Sequence, residues 1–220
     1  MKTDLGYDPQ RAMSLPIPVH DNTHISWQDR SQYFEQLRAK IAAMPQIEVA
    51  GISTNATPPW NGDDRKIEIM GRSTTEKPEV RLNFISPEYF PLLRIPLEQG
   101  RIWDHAETMR GAPVVVVNQA MARQYWPSGN PVGQQLRVVD LKAEPPYSQT
   151  ALGSDGWLQI VGIVGDARDD GLRKPVKPAI YVPYTLQLWM FTQILVRTKI
   201  PPLSVLREIR AQVLQVDPEQ

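Results

Sequence analysis

The stretch VVVVNQAMARQYWPSGNPVGQQL, residues 114–136, holds a strand, a capped helix and a return into a strand in one phrase. Its four consecutive valines suit a buried strand, because β-branched side chains pack well on a pleated surface. Asn118 follows as an N-cap whose side-chain oxygen can accept from the first-turn amides, which have no partner inside the helix. Ala120, Met121 and Tyr125 then share roughly one helical face. Pro127 removes the donor needed to continue, and Ser128, Gly129, Asn130 and Pro131 supply a turn. Gly133 lets the chain re-enter a strand over residues 136–139. The phrase contains no reactive group and reads as architecture.

On its N-terminal side, residues 13–19 predict a short strand, and Pro16 and Pro18 place it at a sheet edge. Ser26 with Asp29 forms a capping-box pattern, and Phe34, Leu37, Ile41 and Met44 recur at helical spacing until Pro45. A second strand over residues 47–53 completes a β-α-β unit, and residues 57–64 form a loop around Trp60. Alternation over 65–70 and 80–85 gives two more strands. Ser86 is placed to cap a short helix that has Pro87 at its first position and carries Tyr89, Phe90, Leu92 and Leu93.

Beyond residue 101 strands dominate as far as 183, apart from the helix after Asn118 and a polar insertion, 141–156, expected as an exposed loop. Residues 193–197 return as a strand, and Leu206, Ile209, Val213 and Val216 mark a last helix ended by Asp217 and Pro218. The fold class is α+β.

The chain has 220 residues, enough for one large domain or two small ones. Lys plus Arg and Asp plus Glu number 24 each, so no net field draws it to nucleic acid, and no nucleic-acid partner is expected. The 21 prolines lie between the apolar runs, which implies many short elements joined by stiff turns. With 0 cysteines, disulfides, thiolate catalysis and cysteine-bound metals are excluded. No apolar run reaches the ~18 residues of a membrane span, and MKTDLGYDPQ has no signal-peptide core.

His20 and His24 stand four apart, a zinc spacing if they lay on a helix, but they fall in HDNTH before the helix starts and have no third ligand. Asp166, Asp169 and Asp170 in GDARDDGL have the oxygen-rich spacing of a cation site or a carboxylate pair. Arg168, Arg173 and Lys174 are interleaved with them, and Gly171 suits a turn, so a solvated turn with local salt bridges is the plainer reading. Gly162 and Gly165 lack the G-x-G-x-x-G dinucleotide pattern and read as close strand packing. Neither a phosphate loop nor a G-x-S-x-G elbow is present, so no catalytic residue, metal or cofactor is assigned. Trp60, and Leu188, Trp189, Met190 and Phe191 at a turn between two strands, are the candidate partner or cargo contacts. The competing reading has them fold back over the core.

The opening phrase is joined by NFISPEYFPLLRIPLEQGRIW (83–103) and IVGIVGDARDDGLRKPVKPAIYVPY (160–184), with GYDPQRAMSLPIPV (6–19) and ILVRTKIPPLSVLREIRAQVLQVDP (194–218) at the two ends. In this order and spacing they resemble the MacB-like periplasmic core domain of MacB/FtsX-type ABC transporter permeases. The resemblance implies two lobes: a porter-like lobe of split β-α-β units over 1–100 plus 190–220, and an inserted β-rich, Sabre-like lobe over 101–189. It further implies a non-enzymatic extracytoplasmic domain at the periplasmic face of the bacterial inner membrane, transmitting ATP-driven conformational change and contacting cargo for export. ATP hydrolysis would sit on a separate cytosolic ABC ATPase. A second permease copy would make a homodimer, and flanking transmembrane helices would bring both chain ends toward the membrane. A periplasmic adaptor or outer-membrane channel stays open as a further partner. From other classes, the alternatives are a soluble metal-dependent hydrolase using His20, His24 and part of Asp166, Asp169 and Asp170, or a bare adhesion or scaffold module.

Overall fold

The computed structural model describes residues 5–20, 23–57, 60–72, 77–142, 144–151, 156–168 and 171–220, with the side chains of residues 60 and 61 outside the description. The first half holds β1 (Ala12–Pro18), α1 (Trp27–Ala42), β2 (Ile47–Ser53), β3 (Ala56–Thr57), β4 (Trp60–Asn61), β5 (Asp63–Ile69), β6 (Glu79–Ile85), α2 (Tyr89–Leu93) and β7 (Leu97–Gly100). The second half holds α3 (His105–Met109), β8 (Val114–Asn118), α4 (Gln119–Tyr125), β9 (Gln135–Val138), β10 (Ser148–Thr150), β11 (Trp157–Val164) and β12 (Ala179–Pro183). After these come β13 (Gln187–Trp189), β14 (Phe191–Thr198) and α5 (Leu206–Val216).

The opening phrase folds as its residues dictate. Asn118 caps α4 by accepting from the Met121 amide at 2.9 Å. Strand alternation sends Val115 and Val117 into one hydrophobic cluster and Val114 and Val116 into a second on the opposite face. A strand buried on both faces has no polar side to show, which is why four valines follow one another.

Ten strands form one sheet among the described residues, and its order has two parts. At one end β1 and β2 flank β14, both antiparallel to it, with α1 crossing between them as a split β-α-β unit. Phe34, Leu37 and Ile41 of α1 pack with Ile52, Ile194 and Val196 beneath, and Ile209 and Val213 of α5 join the same cluster. From β6 onward the sheet closes on itself. The N-terminal part of β5 pairs with β6 and its C-terminal part with β9, so β6, β12, β8, β11, β9 and β5 form a hydrogen-bonded ring. Alternate residues of all six strands, such as Ile67, Leu82, Val117, Leu136, Ile160 and Ile180, meet in the ring interior. Aromatic side chains of α2 and of Trp103 cover the outer face of β8, β11 and β12. The ring takes β5 and β6 from before residue 100 and four strands from after it.

Three local expectations change. Ser86 does not cap α2: its hydroxyl accepts from the Ile52 amide at 2.9 Å, and Glu88 stands at the N-cap position with no side-chain cap bond. The insertion expected as an exposed loop contributes β10, which pairs with β13, and buries Ser148. The loop expected around Trp60 carries the short β3–β4 pairing.

β1 lies at the sheet edge as its prolines require. Val19 N–H donates to Met190 O at 2.8 Å, so the antiparallel alternation turns the backbone groups of Ser14, Pro16 and Pro18 to the open side. Two of those three positions have no N–H to offer. The chain enters at the Ala12 end of this strand, where Asp8 N–H meets Leu93 O at 2.7 Å. Gln220 sits at the other end, its Nε2 donating to Pro18 O. The 7 residues of β1, at ~3.3 Å each, span roughly 20 Å between its two ends.

Candidate functional site

The histidine pair lies in the turn before α1. The His24 ring stacks on Tyr33 at 4.1 Å, and its Nδ1 lies 3.1 Å from Asp29 Oδ2. Asp166 follows β11 and is fully engaged at the start of α4, accepting from the Ala120 amide at 2.8 Å and from Arg123 Nη2 at 2.6 Å. Asp169 and Asp170 lie outside the described residues. Among the described residues no group of three or more His, Asp or Glu side chains could hold a metal ion. The metal-hydrolase alternative is therefore not supported: its histidines and its described carboxylate belong to separate local structures, and Asp166 is already engaged by Ala120 and Arg123. Gly162 fits the close-packing reading, since a Cβ there would stand 2.3 Å from Arg101 O.

The apolar candidates divide. Leu188 and Met190 are buried in the main core, where β13 pairs with β10, as in the competing reading that folds them back over the core. Trp189 is half-buried and Phe191 is 65% exposed. Ile25 and Tyr147, also exposed, flank the same region: Tyr147 O accepts from Met190 N–H at 2.9 Å. The side chain of Trp60 lies outside the described residues.

Sequence reasoning missed two buried arginines. Arg30 of α1 is 2% exposed and, among the described residues, donates only to backbone carbonyls, from Nε to His24 at 3.0 Å, from Nη2 to Pro146 at 3.3 Å and from Nη1 to Leu188 at 3.4 Å and Tyr147 at 3.5 Å. Desolvation lowers its pKa below the usual guanidinium value, with Asp29 opposing. One turn earlier, Trp27 Nε1 donates to Thr185 O at 2.7 Å, and the Thr185 hydroxyl donates to Thr108 O. Arg197 of β14 gathers the incoming chain, donating to Leu92 O, Gln10 O and Asp8 O. The signal for Arg30 was present, because Trp27, Arg30, Phe34, Leu37 and Ile41 lie on one helical stripe.

Two acidic groups fix neighbouring elements. Arg38 bonds Glu35 within α1 and reaches Glu88 at 3.6 Å. Burial pushes the phenol pKa of nearby Tyr184 far up. Glu107 closes the capping box of α3 with Asp104 and takes both terminal nitrogens of Arg101, at 2.6 and 2.8 Å. Arg101 holds its carboxyl down at about 2, burial opposing and the Asp104 amide assisting. None of these groups pairs a nucleophile with a base. Between the β1 edge and α5 lies an apolar groove of about 460 Å³, lined by Met13, Leu15, Ile17, Leu206, Val213 and Leu214.

A closed strand ring is joined to a split β-α-β layer, and two buried arginines, Arg30 and Arg197, hold their surroundings through backbone carbonyls. Comparison with known proteins gives this fold a family. The MacB-like periplasmic core domain matches residues 5–213, and the chain belongs to this family of periplasmic domains of ABC transporter permeases. Among solved structures, the periplasmic region of MacB from Actinobacillus actinomycetemcomitans aligns with a TM-score of 0.59 at 13% identity, covering 96% of this chain and 86% of that one. The extracellular domain of the noncanonic ABC-type transporter YknZ from Gram-positive bacteria gives 0.54 at 10% identity, covering 94% and 93%. A domain of a putative permease protein from Porphyromonas gingivalis gives 0.51 at 16% identity, covering 81% and 77%. At these identities the structural likeness establishes the fold. No curated protein gives a significant match. No helix among the described residues is long and apolar enough to cross a membrane.

Proposed function

We propose that this domain transmits ATP-driven movement of an ABC transporter permease to the periplasmic side of the bacterial inner membrane and contacts cargo for export there. The observation that carries this reading is the family match over residues 5–213. In this reading the domain has no catalytic role of its own. A cytosolic ABC ATPase drives it, and flanking transmembrane helices connect it to a homodimeric assembly, with an adaptor or outer-membrane channel as a further partner. The porter-like lobe takes residues 1–100 plus 190–220 and the Sabre-like lobe 101–189, with β5 and β6 lending their edges to the second lobe. The split β-α-β unit, whose β1, α1, β2 and β14 all fall within 1–100 plus 190–220, supports that division. Phe191 and Trp189, with Trp60, are the contact residues proposed for cargo or partner.

The chain has 0 cysteines, so one introduced thiol reports its compartment. Leu203 is 80% exposed, and Leu203→Cys in the permease expressed in cells should react with a membrane-impermeant maleimide once the outer membrane alone is permeabilised. Labelling only after inner-membrane lysis would overturn the placement. In the reconstituted permease with its ATPase, ATP with vanadate should change hydrogen exchange within β1, α1 or α5. Identical exchange with and without nucleotide would overturn transmission.

A further inference from the structure

We infer that Arg30 is a latch that docks the two-stranded β10–β13 ribbon onto α1, so that the ribbon releases and uncovers Leu188 and Met190 when the arginine leaves its carbonyl cage. The inference rests on geometry alone and stands whether or not the domain serves transport.

The acceptors of Arg30 come from three places far apart in sequence: the turn before α1 (His24), the turn leading into β10 (Pro146 and Tyr147) and β13 (Leu188). Among the described residues the guanidinium donates no hydrogen bond to a carboxylate. The neighbouring Asp29 lies against His24. A buried guanidinium satisfied only by carbonyl dipoles is stable while all its acceptors are in place, and uncompensated once one segment withdraws. Its planar fork has five donors in fixed directions, so the segments must be positioned together. That makes docking cooperative.

The ribbon itself is weak. β10 and β13 are 3 residues each and, among the described residues, pair only with one another, through Ser148–Trp189, Gln149–Leu188 and Thr150–Gln187. A two-stranded ribbon of that size has little stability of its own. Its further ties include the burial of Leu186, Leu188 and Met190 in the core, a bond from Gln187 Nε2 to Lys142 O at 2.7 Å, and backbone bonds from Val19 N–H to Met190 O at 2.8 Å and from Ala151 N–H to Leu186 O at 3.4 Å. Ile25, Tyr147 and Phe191 already stand exposed beside it, so release would enlarge an apolar surface that is partly formed. Because Arg30 sits in the first half of α1 and Trp27 holds Thr185 just before β13, a displacement of α1 reaches the ribbon directly.

The test uses the purified 220-residue chain and single thiols in its cysteine-free background. Leu188→Cys reports the ribbon, and Val116→Cys, fully buried in the second cluster, reports the rest of the fold. With Arg30→Met, labelling at position 188 should accelerate at least tenfold while labelling at 116 stays at its original rate, and Arg30→Lys should fall between. Equal acceleration at both positions would mean that Arg30 only supports global stability, and no acceleration at either would mean it holds nothing in place. Both results overturn the latch. Hydrogen exchange on the Arg30→Met chain without added cysteines keeps the test independent of the thiol substitutions. Its amides at 148–150 and 187–190 should lose protection while those of β2, β6 and β14 keep theirs, and uniform or unchanged protection would overturn the latch equally.

Discussion

Replacing Asn118 with alanine should cost about 3 kcal/mol, more than a helix cap alone explains. The side chain makes three bonds from a buried position: its Oδ1 accepts from the Met121 amide at 2.9 Å and the Ala179 amide at 3.0 Å, and its Nδ2 donates to Lys177 O at 3.0 Å. Loss of the cap costs ~1 kcal/mol. Leaving the buried Ala179 amide and the Lys177 carbonyl without partners adds ~1 kcal/mol or more each. For a chain of this size the sum lowers the melting temperature by about 6–12 °C. Asn118→Ser retains a capping oxygen too short to reach β12, and should recover about 1 kcal/mol of the loss. Urea unfolding followed by circular dichroism measures both variants, with an unchanged denaturant slope as the control for two-state behaviour. A cost below about 1 kcal/mol for the alanine variant would refute the reasoning, because water would then be satisfying groups treated as sealed.

Glu107 makes stability depend on pH. Its folded pKa of about 2 lies below the ordinary carboxylate value of 4.5, so its stabilisation is complete above pH 4.5 and fades as pH falls toward 2. The stability gap between the wild type and Glu107→Gln should therefore narrow over that window, and a gap constant from pH 6 to pH 2.5 would contradict the assignment. Gly162→Ala should cost ~2 kcal/mol or more, since the new Cβ would press on backbone at Arg101 O, whereas Gly129→Ala, which meets open space, should stay within ~0.5 kcal/mol in the same melts. Arg197→Met should free the incoming segment, and limited proteolysis should then cut within residues 5–11 while the rest of the chain resists. Equal resistance to cleavage there would show that Arg197 does not anchor it.

The local elements were legible because their physics is local. Ser26, the Phe34–Leu37–Ile41 spacing and Asn118 each act within one or two turns of chain, and α1 and α4 start where those residues place them. What could not be read was the choice of distant partners. β10 is the polar tripeptide Ser-Gln-Thr, and only its pairing with β13, about forty residues on, turns Leu188 inward. The closing of the ring depends on β5 dividing its two ends between β6 and β9, which no pattern within β5 announces. Ser86 had the right chemistry for a cap and lost to a competitor across the sheet, the Ile52 amide. Of the candidate contacts, Phe191 kept its exposure and Leu188 and Met190 did not, for the same reason that β10 was missed.

The position of β1 also fixes a waiting time. Its partner is β14, with Ala12 opposite Arg197, so during synthesis β1 stays unpaired until the long stretch between the two strands has been delivered. During that interval MSLPIPV is an apolar segment with nothing to bind, the kind of sequence that recruits copies of itself. Pro16 and Pro18 interrupt the donor row such recruitment needs. The prolines that mark β1 as an edge in the finished fold thus also protect the nascent chain until β14 arrives.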